Sequence, residues 1–408
     1  MNVPEGWDIK TVQEIAEVTS GGTPSRKKPS YWNGTVPWIR TTEVQNCVLY
    51  ETDVQEYISE EGLKNSSAKL VPKNTILLAM IGQGKTRGQV ALLKFKATTN
   101  QNCAAIIFDE NQEPEFYYNF LLAQYKNIRN FSNSAGQSNL SGALVKSIRV
   151  TVPPLPEQKK IARILSTWDR AIEVTEKLLN NSQQQKKALM QQLLTGKKRL
   201  PGFSGEWETK TLREIGEIKS AGVDKKIIDG EKPVRLLNFT DVFNRSFIYS
   251  HQLNHWVTAP ESKISGCDVR IGDVFFTPSS ETRDEAGIPA VAAENIDQCC
   301  YSYHVVRLRF TEKWDLNFKA YVFTTSQFRR QAYMLADGSG QRYVISQENF
   351  RKIQVTFPNY DEQIAIGKIL KAAESEIEIL EKKLSCLRQE KKALMQQLLT
   401  GKRRVQIN

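Results

Sequence analysis

The sequence predicts an α+β protein built twice: two mixed α/β domains, each followed by a long coiled-coil helix, in a pseudo-twofold internal repeat. Three observations predict it. Residues 186–197 recur without change at 391–402, a displacement of 205, and two further basic residues follow each copy. The same displacement aligns Pro153 with Pro358, Glu157-Gln158 with Glu362-Gln363, Ile164-Leu165 with Ile369-Leu370 and Ser141 with Ser346, while Trp7, Lys10-Thr11 and Glu14-Ile15 match Trp207, Lys210-Thr211 and Glu214-Ile215 at a displacement of 200. A repeat on this scale sets the architecture before any local assignment is made. Third, apolar residues keep a seven-residue period through both copies of the repeated segment.

These signals divide the chain into a first domain over 1–152, a helix within 153–200, a second domain over 201–357 and a second helix within 358–408. The first domain reads as short strands separated by polar loops. Strand-like runs occupy 75–80 and 90–95, and an aromatic-rich helix starts at Pro114. The first long helix follows Pro153-Pro154-Leu155-Pro156, because proline is disfavoured inside a helix but suited to its first turn. Its heptad tracks are Ile161, Trp168, Thr175, Ser182, Leu189 and Leu165, Ile172, Leu179, Lys186, Leu193. The second domain repeats the strand-like pattern at 273–276 and 305–310, with a helix beginning at Leu316. The second long helix carries Ile366, Ala373, Leu380, Leu387, Leu394 and Leu370, Ile377, Leu384, Lys391, Leu398. Lys186 and Lys391 share a track, where a polar residue either fixes register or snorkels at the edge of the seam. Gly196 and Gly401 read as helix stops.

Composition bounds the function. With 408 residues, 40% hydrophobic and 25% charged, the chain reads as a soluble globular protein large enough for two or three domains. No apolar run is long enough to span a membrane, and residues 1–7 do not read as a signal peptide. Six cysteines without framework spacing predict reduced thiols in the cytoplasm. The net charge of +11 favours a nucleic-acid partner.

Catalytic and metal motifs fail on inspection. Ala79-Met80-Ile81-Gly82-Gln83-Gly84-Lys85-Thr86 imitates a phosphate-binding loop. Such a loop must open a helix, however, and this one leads into a β-patterned run. A base methyltransferase needs an Asn-Pro-Pro-aromatic or related tetrapeptide, and none occurs. His251 and His255 lack the surroundings of a zinc helix. With His304 they read as structural or surface residues, and Cys299-Cys300 as buried packing. No catalytic residue and no metal ligand is assigned.

Binding chemistry remains. The loop with Thr23, Ser25, Arg26, Lys27 and Lys28 follows Gly21-Gly22, small residues read as exposing backbone amides beside consecutive cations, a composition suited to phosphate or to a solvated basic turn. Gln83, Lys85, Arg87 and Gln89 add amides and cations of the kind that read adenine and guanine edges. In the second domain Ser279 and Arg283 occupy the analogous loop. Loops before Ser141 and Ser346 contribute Gln137 and Asn139, and Gln341, Arg342 and Tyr343. Trp7, Trp32, Trp38 and Trp207 read as core residues rather than stacking platforms.

Gly21-Gly22-Thr23-Pro24-Ser25, Tyr31-Trp32, Pro37-Trp38, Pro153-Pro154-Leu155-Pro156-Glu157-Gln158 with Ile161-Ala162 and Ile164-Leu165, Leu193-Leu194-Thr195-Gly196 and Pro201-Gly202-Phe203 follow in an order that resembles the DNA-specificity subunit of type I restriction-modification systems. The resemblance covers nearly the whole chain. It implies two target recognition domains, joined by antiparallel helices that hold them apart as a ruler, reading the halves of a split, asymmetric double-stranded DNA site in a prokaryotic cytoplasm. At 1.5 Å per residue, a helix from 157 to 194 is a strut of roughly 57 Å, ample for domains about one DNA turn apart. The resemblance further implies a subunit with no catalysis and no cofactor of its own. Two modification subunits would bring S-adenosylmethionine for adenine methylation, and restriction subunits would bring ATP and Mg. The second copy departs from the pattern at Phe357-Pro358-Asn359-Tyr360, which alters the helix entrance. An enzyme of nucleic acids lacks its constellation here, and a purely structural coiled coil has no need of two differing domains.

Overall fold

The computed structural model describes residues 3–407 apart from 83, 132–138, 221, 244 and 341. Two compact units share the long helices: residues 1–176 with 382–408 form one, and 177–381 the other. The helices are α1, Leu155–Leu193, and α2, Tyr360–Leu398, each of 39 residues and offset by the repeat distance.

Each unit is built on a five-stranded sheet with one topology. In the first unit the order is Ala16–Ser20, Cys103–Phe108, β1 (Ile76–Ala79), β2 (Val90–Leu93) and Cys47–Leu49, antiparallel except for the last pair. In the second it is Gly216–Lys219, Val306–Phe310, β3 (Val274–Phe276), β4 (Pro289–Ala292) and Phe247–Ile248, again antiparallel except for the last pair. The central strands are continuous apolar runs because both sheet faces are covered. Ile76 and Leu78 enter one core with Phe116, Phe120 and Leu121, while Leu77 and Ala79 enter another with Ile39 and Val44. Val274 and Phe276 likewise part from Phe275.

β1 and β2 pair antiparallel as a hairpin, and the strand ending at Phe108 pairs antiparallel with β1. The loop at 80–89 therefore opens no helix, which removes the phosphate-loop geometry. Helices Pro114–Ala123 and Leu316–Val322 begin where the sequence places them. Ser141 and Ser346 cap the short helices after them, accepting from the amides of Leu144 and Asn349.

The two long helices pair antiparallel within each unit. In the second unit Ser182 and Lys186 of α1 meet Glu376 and Glu374 of α2, so advancing along one helix means receding along the other. In the first, Asp169 and Glu176 meet Lys391 and Arg388. Every apolar seam position expected from the heptads is buried or half-buried, from Ile161 to Leu193 and from Ile366 to Leu398. The ends of the seam do more than pair helices. Ile161, Leu165 and Leu398 lie in the first domain's core, and Leu193, Ile366 and Leu370 in the second's. Lys186 pairs with Glu374 at 2.9 Å and Lys391 with Asp169, with side-chain exposures of 18% and 12%, so both lysines pair across the helices rather than snorkelling into solvent.

The repeated Glu-Gln and the basic residues after each glycine stop form one socket, made twice. Gln158 donates to the Pro153 carbonyl and accepts from the Glu113 amide; Gln363 does the same with Pro358 and Asp315. Buried Glu157 takes the guanidinium of Arg404 and the Trp7 indole N–H. Buried Glu362 takes Arg199 through Nε at 2.7 Å and Nη2 at 2.6 Å. Gly196 and Gly401, at φ +68° and +72°, turn the chain into these sockets, and a Cβ on Gly401 would stand 2.4 Å from Pro4. The altered entrance to α2 is harmless, because Asn359 caps it by accepting from the Glu362 amide at 3.0 Å.

Candidate nucleic-acid interface

The hairpin β1–β2 projects the loop that carries Lys85, Arg87 and Gln89. Gly88, at φ +86°, closes it by donating to the Ala79 carbonyl at 2.9 Å, and Ala79 donates to Gln89. The Tyr125 hydroxyl donates to the Lys85 carbonyl at 2.6 Å and receives Arg129, which packs beneath Gly88. Lys85 is exposed, whereas Arg87 is half-buried with its Nε out of solvent and without a hydrogen-bond partner among the described residues. The Leu140 amide donates to the Met80 carbonyl at 2.8 Å, so exposed Asn139 is brought beside this loop.

The second domain repeats the arrangement with different chemistry. Gly287, at φ +76°, donates to the Thr277 carbonyl at 2.7 Å, and Arg329 packs beneath it. The Ile345 amide donates to Pro278, and Ser279–Ser280 pairs with Arg342–Val344, itself a hairpin with Asp337–Ser339. Ser279, Arg283, Arg342 and Tyr343 are thereby assembled on one edge. Arg342 donates to the Ser279 hydroxyl at 3.1 Å, and the Arg283 guanidinium lies 5.0 Å from the Tyr343 ring and 5.4 Å from that of Tyr333. Gln83, Gln137 and Gln341 lie outside the described residues.

The basic loop at 23–28 differs from its sequence reading. Gly21 and Gly22 are buried, the Gly22 amide donates to the Thr99 carbonyl, and added Cβ atoms would stand 1.8 Å from Thr99 and 2.1 Å from Ser67. These glycines permit close backbone packing; they do not display amides. Arg26 stacks 3.5 Å from the Trp32 ring centre and pairs with Glu56 at 2.6 Å, and Lys28 donates to the Tyr31 hydroxyl. Ser25 is exposed, its carbonyl taking the Trp32 indole N–H, while Lys27 stays exposed and unpaired among the described residues. Thr23 donates to Gln101 and the Met80 amide to Asn102, so this loop and the β1–β2 loop are tethered to one turn. Trp7 and Trp38 are buried, whereas Trp32 and Trp207 are only half-buried.

Sequence reasoning missed Arg129, Tyr125 and Arg329, which hold the two loops from neighbouring helices, and Tyr333, which lies against Arg283. Their only local signal is an aromatic and a cation one turn apart. Among the described residues no cluster of three or more His, Cys, Asp or Glu side chains could hold a metal ion, and no helix is long and apolar enough to cross a membrane.

A family model described as the type I restriction modification DNA specificity domain matches twice, over residues 4–182 and 204–389. The chain is 24% identical to the type I restriction enzyme MjaVIII specificity subunit of Methanocaldococcus jannaschii, over 99% of this chain and 95% of that one. It is 34% identical to the MjaIX specificity subunit of the same organism over 180 residues, covering 43% of this chain and 40% of that relative. The crystal structure of the S subunit of a type I restriction-modification system from M. genitalium shares the fold, with a TM-score of 0.60 at 16% identity over 98% of this chain and 96% of that one. The twofold match over two similarly folded domains shows that the chain belongs to the family of DNA-specificity subunits of type I restriction-modification systems.

Proposed function

We propose that this subunit reads a split, asymmetric DNA sequence, one half through each domain, and carries modification and restriction subunits on its helices. One observation carries the reading: a single scaffold, repeated down to its socket residues, presents two different loop sets at the same place. Equal frames hold the halves equivalently. Unequal loops, Lys85, Arg87 and Asn139 against Ser279 and Arg283, then read different bases. The catalytic chemistry belongs to the partners, which would supply S-adenosylmethionine, ATP and Mg; no residue here is assigned to bind them.

The test is to co-express the chain with a modification subunit and map methylated adenines across the host DNA. A motif of two defined halves around an undefined spacer is the expected result, and exchanging residues 1–152 changes one half only. Methylation of a continuous motif, or none despite a stable complex, would overturn the proposal. A second expectation concerns salt. The isolated chain binds DNA modestly, with log affinity falling linearly against log salt concentration; an affinity flat between 50 and 200 mM salt, the interval over which a slope of several counterions is unmistakable, would exclude phosphate-dominated binding.

A further inference from the structure

Several arginines of the second unit are committed to ion pairs. Arg199, Arg270, Arg307 and Arg309 each pair with a carboxylate. Arg283 makes no salt bridge or hydrogen bond among the described residues. Its Nε is buried without a partner, and its guanidinium lies within 5.4 Å of two tyrosine rings. Tyr333 stands on the helix Ser326–Leu335 and Tyr343 on the hairpin, so the group is held from two separate elements. Arg329, from the same helix, donates to the carbonyl of the next residue, Asp284, and fixes the backbone that carries it. An aromatic-flanked guanidinium loses less freedom per hydrogen bond formed, because its planar fork is already oriented. Part of this arrangement recurs in the first unit, where Arg87 has a buried Nε without a hydrogen-bond partner among the described residues, on a loop closed by Gly88 and backed by Arg129.

We propose that Arg283 is a specificity-determining residue that reads a guanine in the half-site of the second domain. The inference rests on the DNA-reading function proposed above. A planar fork is matched to the O6 and N7 acceptors of guanine, the commonest base-specific contact of arginine in the major groove. Arg342 differs: it is exposed, sits at the hairpin edge and is hydrogen-bonded to Ser279, an arrangement suited to a phosphate.

The experiment selects bound duplexes from a randomised pool with the full chain in complex with a modification subunit, comparing wild type with R283A, R283K and R342A. The expected wild-type motif has a G·C pair in the second domain's half, identified by exchanging residues 1–152. R283A lowers discrimination at that pair roughly 5- to 150-fold and leaves the other half intact, which also shows that the protein is folded. R283K keeps overall affinity yet loses the guanine preference, because it retains charge without the fork. R342A weakens all sequences alike and leaves the motif unchanged. An unaltered motif with uniformly weaker binding by R283A would make Arg283 a phosphate contact and overturn the inference alone, as would a second half without any G·C pair. A wild-type pool that yields no motif would overturn the DNA-reading function itself.

Discussion

Glu374→Ala is expected to destabilise the second unit by about 3–5 kcal/mol, the cost of removing one partner from a largely buried, hydrogen-bonded pair. Four donors converge on this carboxylate: Ser246 at 2.7 Å, Tyr321 at 2.7 Å, Lys186 at 2.9 Å and Lys371 at 3.4 Å. They come from the domain, from α1 and from α2, so one side chain ties three parts of the unit together. Its side chain is 14% exposed and that of Lys186 18%, which leaves water little room to replace the lost acceptor. Burial pushes the Glu374 carboxyl up, but the hydrogen bonds from Ser246, Tyr321 and Lys186 win and hold it below its ordinary 4.5. A depressed carboxyl stabilises the fold above that ordinary value and loses the contribution as pH falls through the lower, folded one. The wild type should therefore lose its advantage over Glu374→Gln below about pH 4.5. The equivalent position in the first unit gives the control. Asp169 pairs with Lys391 but is 50% exposed, and Asp169→Ala should cost no more than about 1 kcal/mol. Urea unfolding followed by hydrogen exchange at amides of α2 separates the two units. Equal losses for the two variants would show that the extra donors on Glu374 contribute nothing.

The contrast between these acids shows what could be read in advance. Both long helices were legible because their signals are local, a seven-residue apolar period and a glycine stop in each and a proline entrance in the first, whereas the asparagine cap of the second emerged only from the fold. The central strands were legible because a strand covered on both faces reads as an unbroken apolar run. The sockets were not. Arg404 and Glu157 lie 247 residues apart, and nothing near either one announces the other. Only the repeat carried a trace of them, since Glu157 and Glu362 recur at the same displacement as Arg199 and Arg404. Gly21-Gly22 misled for a related reason: a small side chain serves equally to display an amide and to admit a neighbouring backbone, and the distant partners Thr99 and Ser67 decide which. At the candidate interface the loop cations were visible as residue types. Their state was not, because whether an arginine is tied up, as Arg26 is by Glu56, or held in reserve, as Arg283 is, depends on acids and aromatics brought up by folding.

Lys319→Met is expected to stabilise the protein at neutral pH by roughly 2–3 kcal/mol, with the gain fading toward pH 10. Lys319 is 8% exposed, its Nζ donating to the Gly272 carbonyl at 3.2 Å and lying 4.2 Å from the Phe310 ring centre. Burial lowers its pKa to about 8 from 10.5, only partly offset by Asp273 and Asp315, and Asp273 is already committed to Arg309 at 2.7 and 2.8 Å. A folded lysine with a lowered pKa opposes folding wherever it is protonated, so the penalty is full below about 8 and is relieved as pH rises toward 10.5. Other groups run the opposite way: burial raises the Cys299 and Cys300 thiols to about 12, and these should be lost to the unfolded chain as it ionises above pH 9. The stability of the wild type alone therefore mixes both effects. The difference between Lys319→Met and wild type isolates one, since methionine matches the aliphatic stem and keeps every thiol and tyrosine in place. Denaturant unfolding at pH 7, 8.5 and 10 measures it. A difference that stays constant with pH would mean that Lys319 keeps an ordinary pKa, with solvent reaching Nζ where the structure places carbonyl and ring.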